Sequence, residues 1–294
     1  MENKDVIGQW SEAARYWEKH RAVIERMFAP VAAALVQDAG IGPGQAVLDV
    51  ATGPGEPALS IAGVVGAKGS VTGVDVVPAM IDAAGREAGR RGLGNARFRV
   101  AAAGELPFED ESFDAVVSRF GVMFFPSPLE GIREMLRVLK PGGKLAMAVW
   151  HHARNNPFHS VLSEIVERFV ESRAPDADAP DAFRFAPPGK LLHVALEAGV
   201  ADARERLLEF SIDAPLSLDG FWVLRTEMSD KLRTKLAQLS QGQVGEIKHA
   251  FREAARVYSD ESGLSFPAEV LVVSGSSNAR LVGHTGFEPV TSTL

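Results

Sequence analysis

Two acids beside a glycine loop are the residues best placed to do chemistry. The stretch Val47-Leu48-Asp49-Val50-Ala51-Thr52-Gly53-Pro54-Gly55-Glu56-Pro57-Ala58 is an apolar run ending in an acid, then a glycine loop, then the start of a helical pattern. That order reads as strand, tight turn and helix amino terminus. Gly53 and Gly55 accept positive φ and let a ligand lie against the backbone. Pro57 suits the first helical turn, where its missing N–H costs nothing. Asp49 closes the strand at the edge where ligands of open α/β sheets bind. Its other reading is a cap on the helix that follows. Asp75 closes a second apolar run, Ser70-Val71-Thr72-Gly73-Val74-Asp75. An acid there can hold both hydroxyls of a ribose, or serve as a turn residue before Pro78.

Two cofactor classes fit such a loop. Gly53-x-Gly55-x-x-Ala58 formally satisfies the dinucleotide fingerprint, a weak match by itself. Asp49 argues against it, because a carboxylate beside the loop repels a pyrophosphate. It suits an ammonium or a ribose instead. A nucleoside with a charged amino-acid tail and no phosphate satisfies both acids, and S-adenosylmethionine is such a molecule. Short-chain dehydrogenase chemistry needs a tyrosine four residues before a lysine. The two tyrosines, Tyr16 and Tyr258, are followed at that spacing by His20 and Ser262.

For a general base the candidates are His20, His151, His152 and His159. His151 and His152 follow the predicted fifth strand, beside the place an acceptor must occupy, and imidazole titrates near neutrality. Adjacent histidines point in different directions, so at most one serves, and no orienting partner for either is visible. Each taken singly reads more readily as a surface or packing residue. Phe124, Phe125, Trp150, Phe158 and Trp222 are candidates for an apolar acceptor pocket, or ordinary core.

These residues need a frame. Strands are expected near 45–50, 70–74, 96–100, 113–118 and 143–150, with helices near 57–64, 78–91 and 128–138 between them. That alternation predicts a parallel, doubly wound sheet. Ahead of it, helices are expected over 11–20 and 21–39. Beyond Trp150 the expectation is a helix towards 172, a proline-rich mobile loop over 173–189, a helix over 191–198 and a strand over 204–212. Residues 218–258 read as mostly helical and 268–273 as a last strand. The polar segment 276–294 reads as a disordered extension.

Four segments in this order and spacing carry a family resemblance: Leu48-Asp49-Val50-Ala51-Thr52-Gly53-Pro54-Gly55, Thr72-Gly73-Val74-Asp75-Val76-Val77-Pro78-Ala79-Met80, Leu106-Pro107-Phe108-Glu109-Asp110-Glu111-Ser112-Phe113-Asp114 and Arg137-Val138-Leu139-Lys140-Pro141-Gly142-Gly143. The chain resembles class I S-adenosylmethionine-dependent methyltransferases of the ubiquinone/menaquinone-biosynthesis type. The resemblance implies a Rossmann-like sheet of seven strands with the last antiparallel. It implies an amino-terminal helical cap over 1–40, a methyltransferase domain over 41–275 and a helical lid over 217–262. It places Tyr16, Asp49, Ala51, Gly53, Gly55, Asp75, Val76, Met80, Ala103, Gly104, Arg119 and Phe120 around the cofactor. In that frame Met80 packs on adenine or in the core. Arg119 binds the cofactor carboxylate or a surface acid, and the Tyr16 hydroxyl reaches the same carboxylate or stays a half-buried aromatic. Two departures stand out. Ala102 replaces the usual adenine-binding Asp, leaving backbone near Ala103 to pair with adenine. Ala51 replaces the first loop glycine, a mild change at negative φ.

Methyl transfer asks little of side chains, since holding the acceptor in line supplies much of the rate. A non-catalytic protein that keeps the cofactor as a ligand is the alternative. Composition narrows the rest. Of 294 residues 46% are hydrophobic, enough for one large domain or a domain with a lid. Net charge is −7, with 38 acids against 31 bases and no basic stripe to neutralise phosphates, so nucleic acid is not the expected partner. The absence of cysteine removes disulfides, thiolate zinc sites and cysteine nucleophiles, and no metal site is expected. The amino terminus lacks a signal-peptide pattern and no apolar run approaches a membrane span. The expectation is a cytoplasmic protein acting on a small-molecule acceptor.

Overall fold

The computed structural model describes residues 3–170, 176 and 178–278. The strands are β1 (Ala46–Val50), β2 (Ser70–Asp75), β3 (Ala96–Val100), β4 (Phe113–Arg119), β5 (Leu139–Trp150), β6 (Ala201–Ala214), the two-residue β7 (Ser259–Asp260) and β8 (Gly263–Ser276). Their order is β3-β2-β1-β4-β5-β8-β6, with β7 paired to β8. The pairs among β1 to β5 are parallel, and β8 runs antiparallel between β5 and β6. This is the expected Rossmann-like sheet of seven long strands with the last antiparallel. The central strands are continuous apolar runs because helices cover both faces. Ala115, Val116 and Val117 of β4 and Val47 and Leu48 of β1 are fully buried.

The helices are α1 (Asn3–Lys19), α2 (Arg21–Met27), α3 (Ala29–Asp38), α4 (Ala58–Val65), α5 (Pro78–Arg91), α6 (Pro128–Arg137), α7 (Pro157–Glu167), α8 (Lys190–Ala198), α9 (Leu218–Met228), α10 (Asp230–Leu236) and α11 (Gln241–Ala255). The single helix expected over 21–39 is two helices. Phe28 leaves helical geometry, and Pro30, without an N–H, sits in the first turn of α3 where none is needed. Pro57 is the N-cap of α4 rather than a residue inside it.

Residues 217–262 form α9 to α11 between β6 and β8. Each helix starts on a serine: the hydroxyls of Ser217, Ser229 and Ser240 accept from the backbone N–H three residues on. Such caps are each worth about 1 kcal/mol. Phe221 of α9 stands 5.4 Å from Phe158 of α7 and 4.8 Å from Phe266 of β8, so α9 is welded into the core. On its other side, Glu227 of α9 holds Lys19 at 2.7 Å and His20 at 2.6 Å, tying the insertion to α1.

The proline-rich segment is less free than expected over its described part. Phe185 and Ala186 are buried, and Arg184 Nη1 donates to the Phe125 carbonyl at 2.8 Å. The rest of that expectation, at 173–175 and 177, lies outside the described residues, as do 171 and 172 at the end of the expected helix. So does the expected disorder over 279–294. Ser276, assigned to the tail, instead closes β8, and Ser277 N donates to the Gly143 carbonyl at 3.0 Å. Among the described residues no helix is long and apolar enough to cross a membrane.

Candidate cofactor and acceptor site

Asp49, Asp75, Arg119 and His151 all stand at the carboxyl ends of parallel strands, on one edge of the sheet. Asp49 is wholly buried. Its Oδ2 accepts from Thr52 Oγ1 at 2.6 Å and from Ala58 N, the first residue of α4, at 3.1 Å. The carboxylate therefore does cap the helix. Its Oδ1 has no partner, and neither does the buried Ser118 Oγ. Burial pushes the Asp49 carboxyl up to about 7, against the opposing pull of the Thr52 hydrogen bond and the Arg119 charge. A buried carboxylate oxygen without a donor costs about 1–3 kcal/mol or more. What is missing is a donor, and a positively charged one serves best.

Arg119 faces this acid rather than a surface one. Its Nη2 donates to the Glu56 carbonyl at 3.1 Å, and it lies in the field of Glu56, Asp49 and Glu25. Burial lowers its pKa and these three acids raise it. Glu56, buried beside it, is pushed upward by that burial.

Asp75 clamps the loop. Its Oδ2 accepts from Gly53 N at 2.9 Å and its Oδ1 from Val77 N at 3.0 Å. Each oxygen keeps a second lone pair, so hydroxyl donors are still admissible. Burial raises its pKa against these bonds.

The loop backbone corrects one expectation. Ala51 has φ +61°, so its replacement of glycine is not mild: an L residue is held in left-handed geometry. Phe120, on the neighbouring strand end, has φ +60°. Gly53 has φ +55°, and a Cβ added there, or at Gly104, meets nothing within 4 Å. A Cβ on Gly121 would stand 2.5 Å from Ala51 Cβ and 2.7 Å from Ser118 Oγ. Gly121 is thus required by packing, whereas Gly53 and Gly104 border open space. These features, with the orphaned Asp49 oxygen, fit S-adenosylmethionine.

The remaining cofactor candidates divide. Val76 is exposed beside Asp75. Ala103 and Gly104 form the turn after β3, where Glu105 N donates to the Ala102 carbonyl at 3.1 Å. Met80 is buried with Ala14 and Val77 beneath α1, next to Trp10 and Trp17. That is its core reading. The Tyr16 hydroxyl accepts from Arg15 at 2.9 Å, and the Arg233 guanidinium covers its ring at 5.1 Å.

After β5, the structure supplies the orienting partner for His151 that local sequence does not. His151 Nδ1 lies 2.5 Å from Glu269 Oε2, and Asn155 Nδ2 donates to the same oxygen at 2.6 Å. With Nδ1–H given to the carboxylate, Nε2 is the basic nitrogen, a tautomer assigned from this geometry. Burial, Arg154 and His151 lower the pKa of His152. His20 is spent on Glu227. Of the aromatics, Phe125, Trp150 and Phe158 are core, Phe124 packs on Trp10 at 5.0 Å, and Trp222 packs on Phe251 at 5.9 Å. Glu269, Asn155, Thr52, Ser118 and Glu56 were not anticipated. The one available signal was an acid inside the apolar run Ala268-Glu269-Val270-Leu271-Val272-Val273.

Residues 48–147 match the model of a methyltransferase domain. The chain is 30% identical over 177 residues to the ubiquinone/menaquinone biosynthesis C-methyltransferase of Ectopseudomonas mendocina, covering 57% of this chain and 68% of that protein. The chain belongs to the S-adenosylmethionine-dependent methyltransferase family. It is also 40% identical over 141 residues to the demethylmenaquinone methyltransferase of Renibacterium salmoninarum, 48% of this chain and 56% of that one. The chain spans about half the length of several curated relatives it matches. The YcgJ protein of Bacillus subtilis shares the fold, with a TM-score of 0.55 at 19% identity over 84% of this chain and 97% of that one. In this methyltransferase-family chain the matched segment holds Asp49, Asp75 and Arg119 and stops before His151, Glu269 and α9 to α11.

Proposed function

We propose that this chain transfers a methyl group from S-adenosylmethionine to a small aromatic acceptor held between the strand edge and α9 to α11. The observation that carries the reading is Asp49 Oδ1, a buried and partnerless acceptor at the end of β1. The cofactor supplies a methyl carried on a sulfonium. Asp49 would accept its ammonium and Asp75 its ribose hydroxyls. Arg119 would face its carboxylate, while the open backbone at Gly53 and Gly104 leaves room for the rest. Catalysis then rests mainly on orientation.

His151 adds a proton acceptor. Its Nε2 would take the proton from an acidic carbon or a phenol, and Glu269 would fix the ring and stabilise the imidazolium that forms. The likeness to a demethylmenaquinone methyltransferase and to ubiquinone/menaquinone biosynthesis C-methyltransferases favours carbon methylation of a quinone-type ring. The inserted helices and α1 would set acceptor choice, because they lie outside the segment shared with the methyltransferase model.

The test is a screen of phenols, hydroquinones and naphthols with methyl-labelled S-adenosylmethionine, after calorimetry with S-adenosylhomocysteine. Label on a ring carbon of the product supports the reading. Tight cofactor binding without transfer to any member would favour a non-catalytic binding protein.

A further inference from the structure

Helix α9 carries a charge that no carboxylate among the described residues pairs with. Arg225 is 6% exposed, and burial alone pulls its pKa down to about 10. Its Nη2 donates to His159 Nδ1 at 3.3 Å, and its guanidinium lies 4.7 Å from the centre of the Phe158 ring. Its Nε has no partner. Burial, and then the Arg225 charge, hold His159 well below its ordinary pKa, so the ring is neutral. With Nδ1 accepting, the ring proton sits on Nε2, and that buried donor is also partnerless.

Two half-buried arginines differ. Arg119 lies among Glu56, Asp49 and Glu25, and Arg91 is held by Glu25, Glu56 and Glu87. No carboxylate among the described residues forms an ion pair with Arg225. A ring face and one neutral nitrogen offset only part of the cost of burying a cation. Methionine would fill the same space without that cost. The site therefore presents one net positive charge and two free N–H donors, and lacks an anion with oxygen lone pairs.

Its position says which anion. The His159 ring stands 4.5 Å from Trp150, and Trp150 stacks at 4.4 Å on Phe120, the residue after Arg119. The free donors are thus one indole away from the proposed cofactor edge. Phe158, Trp150 and Phe183 ring His159, so the free donors sit among aromatic faces. A monoanion balances the single charge, whereas a phosphate dianion would leave a buried excess.

We propose that Arg225 and His159 are the specificity-determining end of the acceptor site and bind the carboxylate of an aromatic acid. This rests on the methyl-transfer reading above and narrows its acceptor. Planar Arg–carboxylate geometry favours this pairing over lysine.

The test compares 2-naphthoate with its neutral isostere 2-naphthamide by thermal unfolding and calorimetry, on wild type, Arg225→Met and Arg225→Lys. Wild type should be stabilised by 2-naphthoate and not by 2-naphthamide. Arg225→Met should unfold at an equal or higher temperature, bind S-adenosylhomocysteine as wild type does, and lose the 2-naphthoate shift. Arg225→Lys keeps the charge without the fork and should bind 2-naphthoate at least tenfold more weakly; it decides the matter if Arg225→Met fails to fold. Equal response to acid and amide, no response to either, or undiminished 2-naphthoate binding by the folded variants would each overturn the proposal. Loss of S-adenosylhomocysteine binding in wild type would instead refute the cofactor reading, independently of the naphthoate result.

Discussion

Cofactor binding should be linked to a proton held by Asp49. In the free protein burial sets that carboxyl at about 7, far above the ordinary 3.8. An incoming ammonium requires the ionised form. If only ionised Asp49 binds, the apparent Kd is the limiting Kd multiplied by one plus the protonated-to-ionised ratio. That factor is about 1.1 at pH 8 and about 11 at pH 6, a tenfold weakening worth about 1.4 kcal/mol. Binding of S-adenosylhomocysteine should release about 0.9 proton at pH 6 and about 0.1 at pH 8. Calorimetric titration in two buffers of different ionisation enthalpy reads both quantities. The sign for the unliganded protein is opposite. Because the folded pKa lies above the unfolded one, the Asp49 contribution to stability is full below pH 3.8 and is lost as pH rises through about 7. A Kd that stays flat from pH 6 to 8, with no buffer dependence, would refute the reasoning. Asp49→Asn should flatten the profile.

Other outcomes follow from named contacts. Ala51→Gly removes left-handed strain of about 1–2 kcal/mol and adds unfolded-state entropy of about 0.4–1 kcal/mol, so the denaturant midpoint should rise slightly; a fall would contradict the φ of +61°. Phe221→Ala empties a site that is 1% exposed and should cost about 3–5 kcal/mol in chemical denaturation, whereas Trp222→Ala, at a half-buried position, should cost less; equal costs would count against the packing described. His151→Ala should lower kcat about 10²-fold and Glu269→Gln by a smaller factor with KM unchanged. If both variants keep wild-type kcat on a phenolic acceptor, the reaction proceeds by orientation alone.

The strand ends and the glycine loop are legible in sequence because their signals are local. Asp49, Gly53, Gly55 and Asp75 lie within a few residues of the strand ends that place them, and turn chemistry is written in short windows. Ala51 was misjudged because φ depends on how the loop closes against Gly121, far along the chain. The break at Phe28 was missed because helical periodicity runs through it while Pro30 imposes the new start. Phe221 looked like a lid residue, but its burial depends on Phe158 and Phe266, which the topology brings to it. The His151–Glu269 contact joins residues 118 apart and exists only because β8 pairs with β5. Arg225 gave no signal at all: in sequence it is one more basic residue on a helix. Only the absence of a facing acid distinguishes it.

The central claim is that the strand edge around Asp49 and Asp75 is an S-adenosylmethionine site. Parallel calorimetric titrations with S-adenosylhomocysteine and NADH, on wild type and Asp75→Ala, test it most directly. One equivalent of S-adenosylhomocysteine should bind and NADH should not, with Asp75→Ala, still folded, weaker by about 1.5–3 kcal/mol for its lost hydrogen bonds. Comparable affinity for NADH, or an unchanged Kd in the folded variant, would contradict the account.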